Sequence, residues 1–158
     1  MTNRFATQSL KSADDTAQLA QAVSSVLTTG DVLLLEGPLG AGKSHFARHA
    51  IQARLGRAED VPSPTFTLVQ VYETPDLDIW HCDLYRLSDP DGAIELGLEE
   101  AFETAAYLIE WPSRLGDLRP ADAVTLQLAM GAGEDHREAT FSGQPSGFRT
   151  RLESVLND

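Results

Sequence analysis

Cysteine occurs once in the 158 residues, at Cys82, which excludes an internal disulfide and a multi-cysteine zinc site. Basic residues are scarce: 12 Lys and Arg stand against 24 Asp and Glu, a formal net charge of −12. Affinity for a phosphate backbone comes mainly from Lys and Arg, so this chain is not expected to grip a nucleic acid unaided. Local basic patches remain around Arg48, Arg54 and Arg57. No apolar run approaches a membrane span, and the polar stretch 1–15 has no signal-peptide core. The expectation is a cytoplasmic protein with no membrane contact. Nor does any repeat, linker or low-complexity tract divide the chain, and its length suits one domain, 1–158, with a full core.

What is present is concentrated at Gly37-Pro38-Leu39-Gly40-Ala41-Gly42-Lys43-Ser44, which fits G-x-x-x-x-G-K-[ST], the phosphate-binding P-loop. Before it, Val32-Leu33-Leu34-Leu35 reads as a buried strand, apolar without alternation, as in a parallel sheet covered on both faces. After it, residues 44–55 read as a helix, with Phe46, Ala47, Ala50, Ile51 and Leu55 at helical spacing. The predicted fold class is α/β: a three-layer P-loop NTPase fold with a mixed, largely parallel central sheet. Glycines let the loop aim successive N–H groups into one anion nest, and the helix behind adds its positive end. Leu39, Gly40, Ala41 and Gly42 then line the phosphates. Lys43 supplies a charge to the β- and γ-phosphates and the Ser44 hydroxyl a ligand to Mg²⁺.

Elsewhere, residues 4–10 read as a short strand and Ser12 as an N-cap, with Asp14 and Asp15 in the first turn. Thr16, Leu19, Ala20, Val23 and Leu27 form one helical face, and Gly30 is a plausible stop. This helix serves packing alone or lies near a nucleotide base. Residues 61–67, stiffened by Pro62 and Pro64, are either a rigid entry to a strand or a loop facing the γ-phosphate with Ser63, Thr65 and Thr67. Runs 68–72 and 79–84 around Pro75-Asp76 read as a hairpin, which makes the sheet mixed. An acidic helix is expected at 93–102, strands at 105–109, 124–130 and 138–142, and a helix at 146–156.

A P-loop needs a carboxylate for its Mg²⁺, and hydrolysis needs a group to orient water. Ligands of parallel sheets sit beyond the carboxyl ends of strands. Two strands here end in acids, Asp83 and Glu110. Asp83 is assigned to the metal shell and Glu110 to the metal or the water. His81 is a strand-packed residue, a base or a sensor of the γ-phosphate, and Arg86 and Arg114 are surface ion-pair partners or phosphate contacts. Trp111, after Glu110, belongs to the core or to a partner contact. Guanine-reading N-K-x-D is missing, since asparagine appears only at Asn3 and Asn157. ATP is therefore favoured. A small-molecule P-loop kinase and an ATP-sensing binding module are the rival readings; no arginine-rich lid segment is evident.

At this point one family stands out. Leu39-Gly40-Ala41-Gly42-Lys43-Ser44, Ser63-Pro64-Thr65-Phe66-Thr67-Leu68-Val69, His81-Cys82-Asp83-Leu84-Tyr85-Arg86-Leu87, Glu95-Leu96-Gly97-Leu98 and Ile109-Glu110-Trp111-Pro112 stand in the order seen in the TsaE (YjeE) family. The chain resembles that family from Leu39 to Pro112, and Arg137 resembles an arginine in its late strand. The P-loop is common to many families; the other segments together are specific. Ser44 replaces the more frequent threonine and keeps the hydroxyl.

The resemblance implies an ATPase of tRNA threonylcarbamoyladenosine biosynthesis that binds ATP and Mg²⁺, hydrolyses slowly alone, and docks on the TsaD–TsaB pair. The modified adenosine lies 3′ of the anticodon, and tRNA is met only through the partner complex. By the same resemblance, Lys43 acts on phosphate, Ser44 on Mg²⁺, and Asp83 and Glu110 are the two functional acids. Residues 63–67, with Thr65 and Thr67, match a switch-like loop.

Overall fold

The computed structural model describes residues 4–38, 40–56, 69–75, 77–85, 105–118, 123–133, 135–143 and 147–156. Seven strands form one sheet: β1 (Arg4–Leu10), β2 (Val32–Glu36), β3 (Val69–Glu73), β4 (Asp78–Asp83), β5 (Ala105–Glu110), β6 (Val124–Met130) and β7 (Arg137–Ser142). Their order is β1-β7-β6-β2-β5-β4-β3. The central run β6-β2-β5-β4 is parallel. Strand β3 at one edge, and β7 and β1 at the other, run antiparallel. The expected hairpin is thus one of two antiparallel margins around a parallel centre.

Helices α1 (Ala13–Ser25), α2 (Lys43–Leu55) and α3 (Gly147–Leu156) share a core with one face of the sheet. Leu33, Leu35, Leu108 and Leu126 from the strands belong to the same cluster as Val23, Phe46, Ile51 and Leu152. Each such side chain taken fully from water contributes about 1.5–3 kcal/mol. A smaller cluster on the opposite face gathers Val32, Leu34, Cys82, Tyr107 and Ile109 with Leu115 of a 3-10 helix (Pro112–Leu118). Burial on both faces explains why β2 reads as an unbroken apolar run. The acidic helix expected at 93–102 and the loop at 61–67 lie outside the described residues.

Helix α1 begins as its sequence predicts, with the Asp15 N–H donating to Ser12 Oγ and Thr16, Leu19, Ala20 and Val23 buried. It ends at Ser25 rather than running to Gly30, because the Val26 N–H turns back onto the Val23 and Ser24 carbonyls. Gly30 takes a positive φ of 92° and donates to the Ala105 carbonyl at 2.9 Å, so its bend serves the entry into the sheet. Two side chains tie the helices down. Ser24 Oγ donates to the Ala50 carbonyl at 2.7 Å, and Arg151 donates to Val26 O at 3.0 Å and to the Asp31 carboxylate at 2.5 Å.

Candidate functional site

Strand alternation selects the side chains that reach the site. Ile79 of β4 and Ala106 and Leu108 of β5 belong to the helix-side core, whereas Cys82, Tyr107 and Ile109 belong to the other. His81, Asp83 and Glu110 follow the first set. In the parallel pairing of β4 with β5, Asp83 stands opposite Glu110. Both acids therefore end at one level, beside the start of α2.

Between β2 and α2 the loop carries positive φ at Gly37 (149°), Gly40 (81°) and Gly42 (102°). At Gly37 a Cβ would run into the Leu128 carbonyl oxygen of β6, so the loop leaves β2 too close to that neighbouring strand for a side chain. Gly42 caps α2 in the left-handed conformation without a side-chain hydrogen bond, and no acid occupies the first turn. No side-chain cap or first-turn acid therefore competes for the first N–H groups of the helix, the kind of end that can take an anion. Arg137 of β7 braces the loop, with Nη2 donating to the Gly40 carbonyl at 3.1 Å. Leu39, Thr65, Thr67 and Arg86 lie outside the described residues.

The Lys43 ammonium is folded onto its own loop. Nζ donates to the carbonyls of Gly37 and, at 3.1 Å, Pro38. The indole of Trp111 lies 3.9 Å away, centroid to Nζ. Burial pushes this lysine below its ordinary pKa, against the opposing pull of Glu110 and then Asp83. Trp111 reaches its place through a left-handed backbone, φ 59°, which costs about 1–3 kcal/mol in a non-glycine residue. Tyr85 packs on its outer side, ring centroids 4.9 Å apart.

Glu110 is the hub. It is 2% exposed, and the Ser44 hydroxyl lies 3.0 Å from Oε1 and 3.1 Å from Oε2. His81 Nε2 lies 2.7 Å from Oε2. Asp83 stands apart from this contact, accepting from the Tyr85 N–H at 3.1 Å. Burial raises the Asp83 carboxyl above its ordinary value; that N–H opposes the rise, Glu110 adds to it, and His81 and Lys43 pull it down. The sequence marked Asp83 and Glu110 as a pair, and the sheet does place them side by side. It left the His81–Glu110 contact unread, although His81 stands two residues before Asp83 and so on the same strand face.

Among the described residues, no group of three or more His, Cys, Asp or Glu is placed to hold a metal alone. Mg²⁺ takes hard oxygen donors, one or two of them carboxylates, and completes its shell with water and phosphate oxygens. Ser44 Oγ and the Glu110 carboxylate are hard oxygen donors of this kind, with Asp83 adjacent. Beside the loop, a cavity of about 190 Å³ is lined by Thr16, Gly42, His45, Asp135 and Arg137, among others. Thr16 is buried and also lines this cavity.

A glycine nest between a central parallel strand and a helix, with a neighbouring strand's acid on the helix's first hydroxyl, defines a P-loop NTPase. Comparison with known proteins carries this further. The family described as threonylcarbamoyl adenosine biosynthesis protein TsaE matches residues 10–139. This chain belongs to the TsaE family. It is 40% identical over 121 residues to the tRNA threonylcarbamoyladenosine biosynthesis protein TsaE of Rickettsia bellii, covering 77% of this chain and 84% of that relative. The Bacillus subtilis TsaE is 35% identical over 143 residues, 90% of this chain and 88% of its own. The crystal structure of Bacillus subtilis YdiB superposes with a TM-score of 0.82 at 28% identity, covering 99% of this chain and 97% of that one. No helix among the described residues is long and apolar enough to cross a membrane.

Proposed function

We propose that the chain is a single-domain, slowly hydrolysing ATPase of the cytoplasm. It serves formation of the threonylcarbamoyl group on N6 of the adenosine 3′ of the tRNA anticodon by acting on a TsaD–TsaB complex. The observation that carries the ATPase reading is the convergence of the phosphate loop, Ser44 and Glu110 at one point, with Ser44 Oγ 3.0 Å from Glu110. The family and the net charge of −12 support the rest, since so acidic a subunit leaves tRNA to its partners.

In this reading the loop N–H groups and the start of α2 bind the β- and γ-phosphates. Lys43 exchanges its loop carbonyls for phosphate oxygens and stabilises charge that builds on them during attack by water. Ser44 and Glu110 hold Mg²⁺ with Asp83 beside them; the ion neutralises phosphate charge when bound. Glu110 also orients the water. The cavity next to Thr16 and Arg137 receives the nucleoside.

The experiment is phosphate release from ATP by the purified protein, alone and with TsaD, TsaB and tRNA, with Glu110→Ala as control. Slow release that rises with the partners and vanishes in the variant is expected. Transfer of the γ-phosphate to a small acceptor, or no response to the partners, would overturn it.

A further inference from the structure

We propose that His81 is a positioning residue for the site. It holds Glu110 by Oε2 in the orientation that sets both carboxylate oxygens against Ser44 and leaves Oε1 the less occupied of the two. The inference rests on the role given to Glu110 above, but not on any titration of the pair.

A glutamate has three rotatable bonds, and one hydroxyl alone does not fix them. Ser44 meets both oxygens at nearly equal distance, 3.0 and 3.1 Å, so it does not choose between them. His81 does. Its Nε2 meets only Oε2, at 2.7 Å, with both side chains almost wholly buried. Oε2 thus carries two contacts and Oε1 one, which leaves Oε1 with the spare lone pair. The ring has no competing allegiance: Nδ1 is buried and has no hydrogen-bond partner among the described residues. A histidine kept for packing would more economically satisfy both nitrogens or be apolar, because an unpaired buried polar atom costs about 1–3 kcal/mol. Pairing with a carboxylate, which only accepts, puts the proton on Nε2.

The sheet supplies the rigidity. His81 is paired with Leu108 in the parallel register of β4 on β5, two residues before Glu110. Neither side chain reaches the other through a loop, so the contact inherits the precision of the strands.

The test compares His81→Leu, which fills the space without a donor, with His81→Gln, whose amide N–H reaches the place of Nε2. In His81→Leu, kcat for ATP should fall about tenfold or more, the usual effect of losing a supporting hydrogen bond behind a site ligand. The nucleotide Kd measured in EDTA should stay within about threefold, because the P-loop is untouched. His81→Gln should recover most of the loss, and His81→Leu should add nothing to Glu110→Gln. Full turnover in folded His81→Leu, or an equal loss in the glutamine variant, would overturn the proposal.

A second readout needs no turnover. Nitrogen-15 NMR of the nucleotide-free protein should find a proton on His81 Nε2, with the Nε2 signal moving in folded Glu110→Gln. An Nε2 without a proton in the wild type would overturn the proposal even if every variant unfolds. A wild-type protein that hydrolyses no ATP while this signal behaves as expected would instead sink the ATPase reading alone.

Discussion

The Ser44 hydroxyl spans both oxygens of the Glu110 carboxylate, at 3.0 and 3.1 Å, and so joins the first turn of α2 to the end of β5. The same hydroxyl is the proposed Mg²⁺ ligand. Ser44→Ala should therefore weaken ATP binding about tenfold with Mg²⁺ present, the scale of one charge-assisted contact. In EDTA it should change binding little. Calorimetric titrations with and without the metal check this; an equal loss in both would place Ser44 on the nucleotide itself.

Lys43 is held over its loop by two carbonyls and the Trp111 ring. Lys43→Met should lower ATP affinity by about 10–100-fold, in line with a charge-assisted hydrogen bond to phosphate. Its stability should move with pH in a defined sense. Burial lowers the lysine in the folded state, so the native protein sheds that proton more readily than the unfolded chain. The lysine's charge is a stability cost below its folded pKa, and that cost disappears as pH rises through the ordinary value of 10.5. Melting curves should show the wild type gaining on Lys43→Met across that rise.

Gly37 has no room for a side chain beside the Leu128 carbonyl and sits at φ 149°. Gly37→Ala should destabilise the fold by about 3 kcal/mol through backbone strain and overpacking together. Urea denaturation should show a lower midpoint at similar slope, and nucleotide affinity should fall with it. An unchanged midpoint would mean the loop can lift off β6 at no cost.

Cys82 is fully buried on the sheet face opposite the site, and burial pushes its thiol far above the ordinary range. The thiolate is the reactive form. Native protein should resist a thiol-directed reagent at neutral pH and react fully in denaturant, which makes Cys82 a probe of unfolding. Rapid labelling of the folded protein would contradict this burial.

Much of this was legible because the signals are local. Burial on both faces wrote β2 as an apolar run, the glycine spacing wrote the loop, and Ser12 wrote the start of α1. The ends of β4 and β5 gave Asp83 and Glu110 as candidates. What stayed hidden depends on contacts between distant segments. That Glu110 rather than Asp83 takes the Ser44 hydroxyl follows from the seat of α2 against the sheet, which no short window records. Arg137 reaches Gly40 from a strand 97 residues away. Trp111 lies over Lys43 only because its backbone turns left-handed, a conformation its residue type does not announce. The tie from Gly30 to Ala105 likewise joins segments far apart in sequence.

Leu108 and Glu110 share a face of β5, so the strand that anchors the helix-side core also aims the acid. One residue inserted between positions 105 and 110 would turn part of the strand over. Either the core would lose its leucine or the site its carboxylate, with an apolar neighbour in its place. Insertions and deletions should therefore fail sharply inside this strand. Its length is as much a part of the site as its side chains.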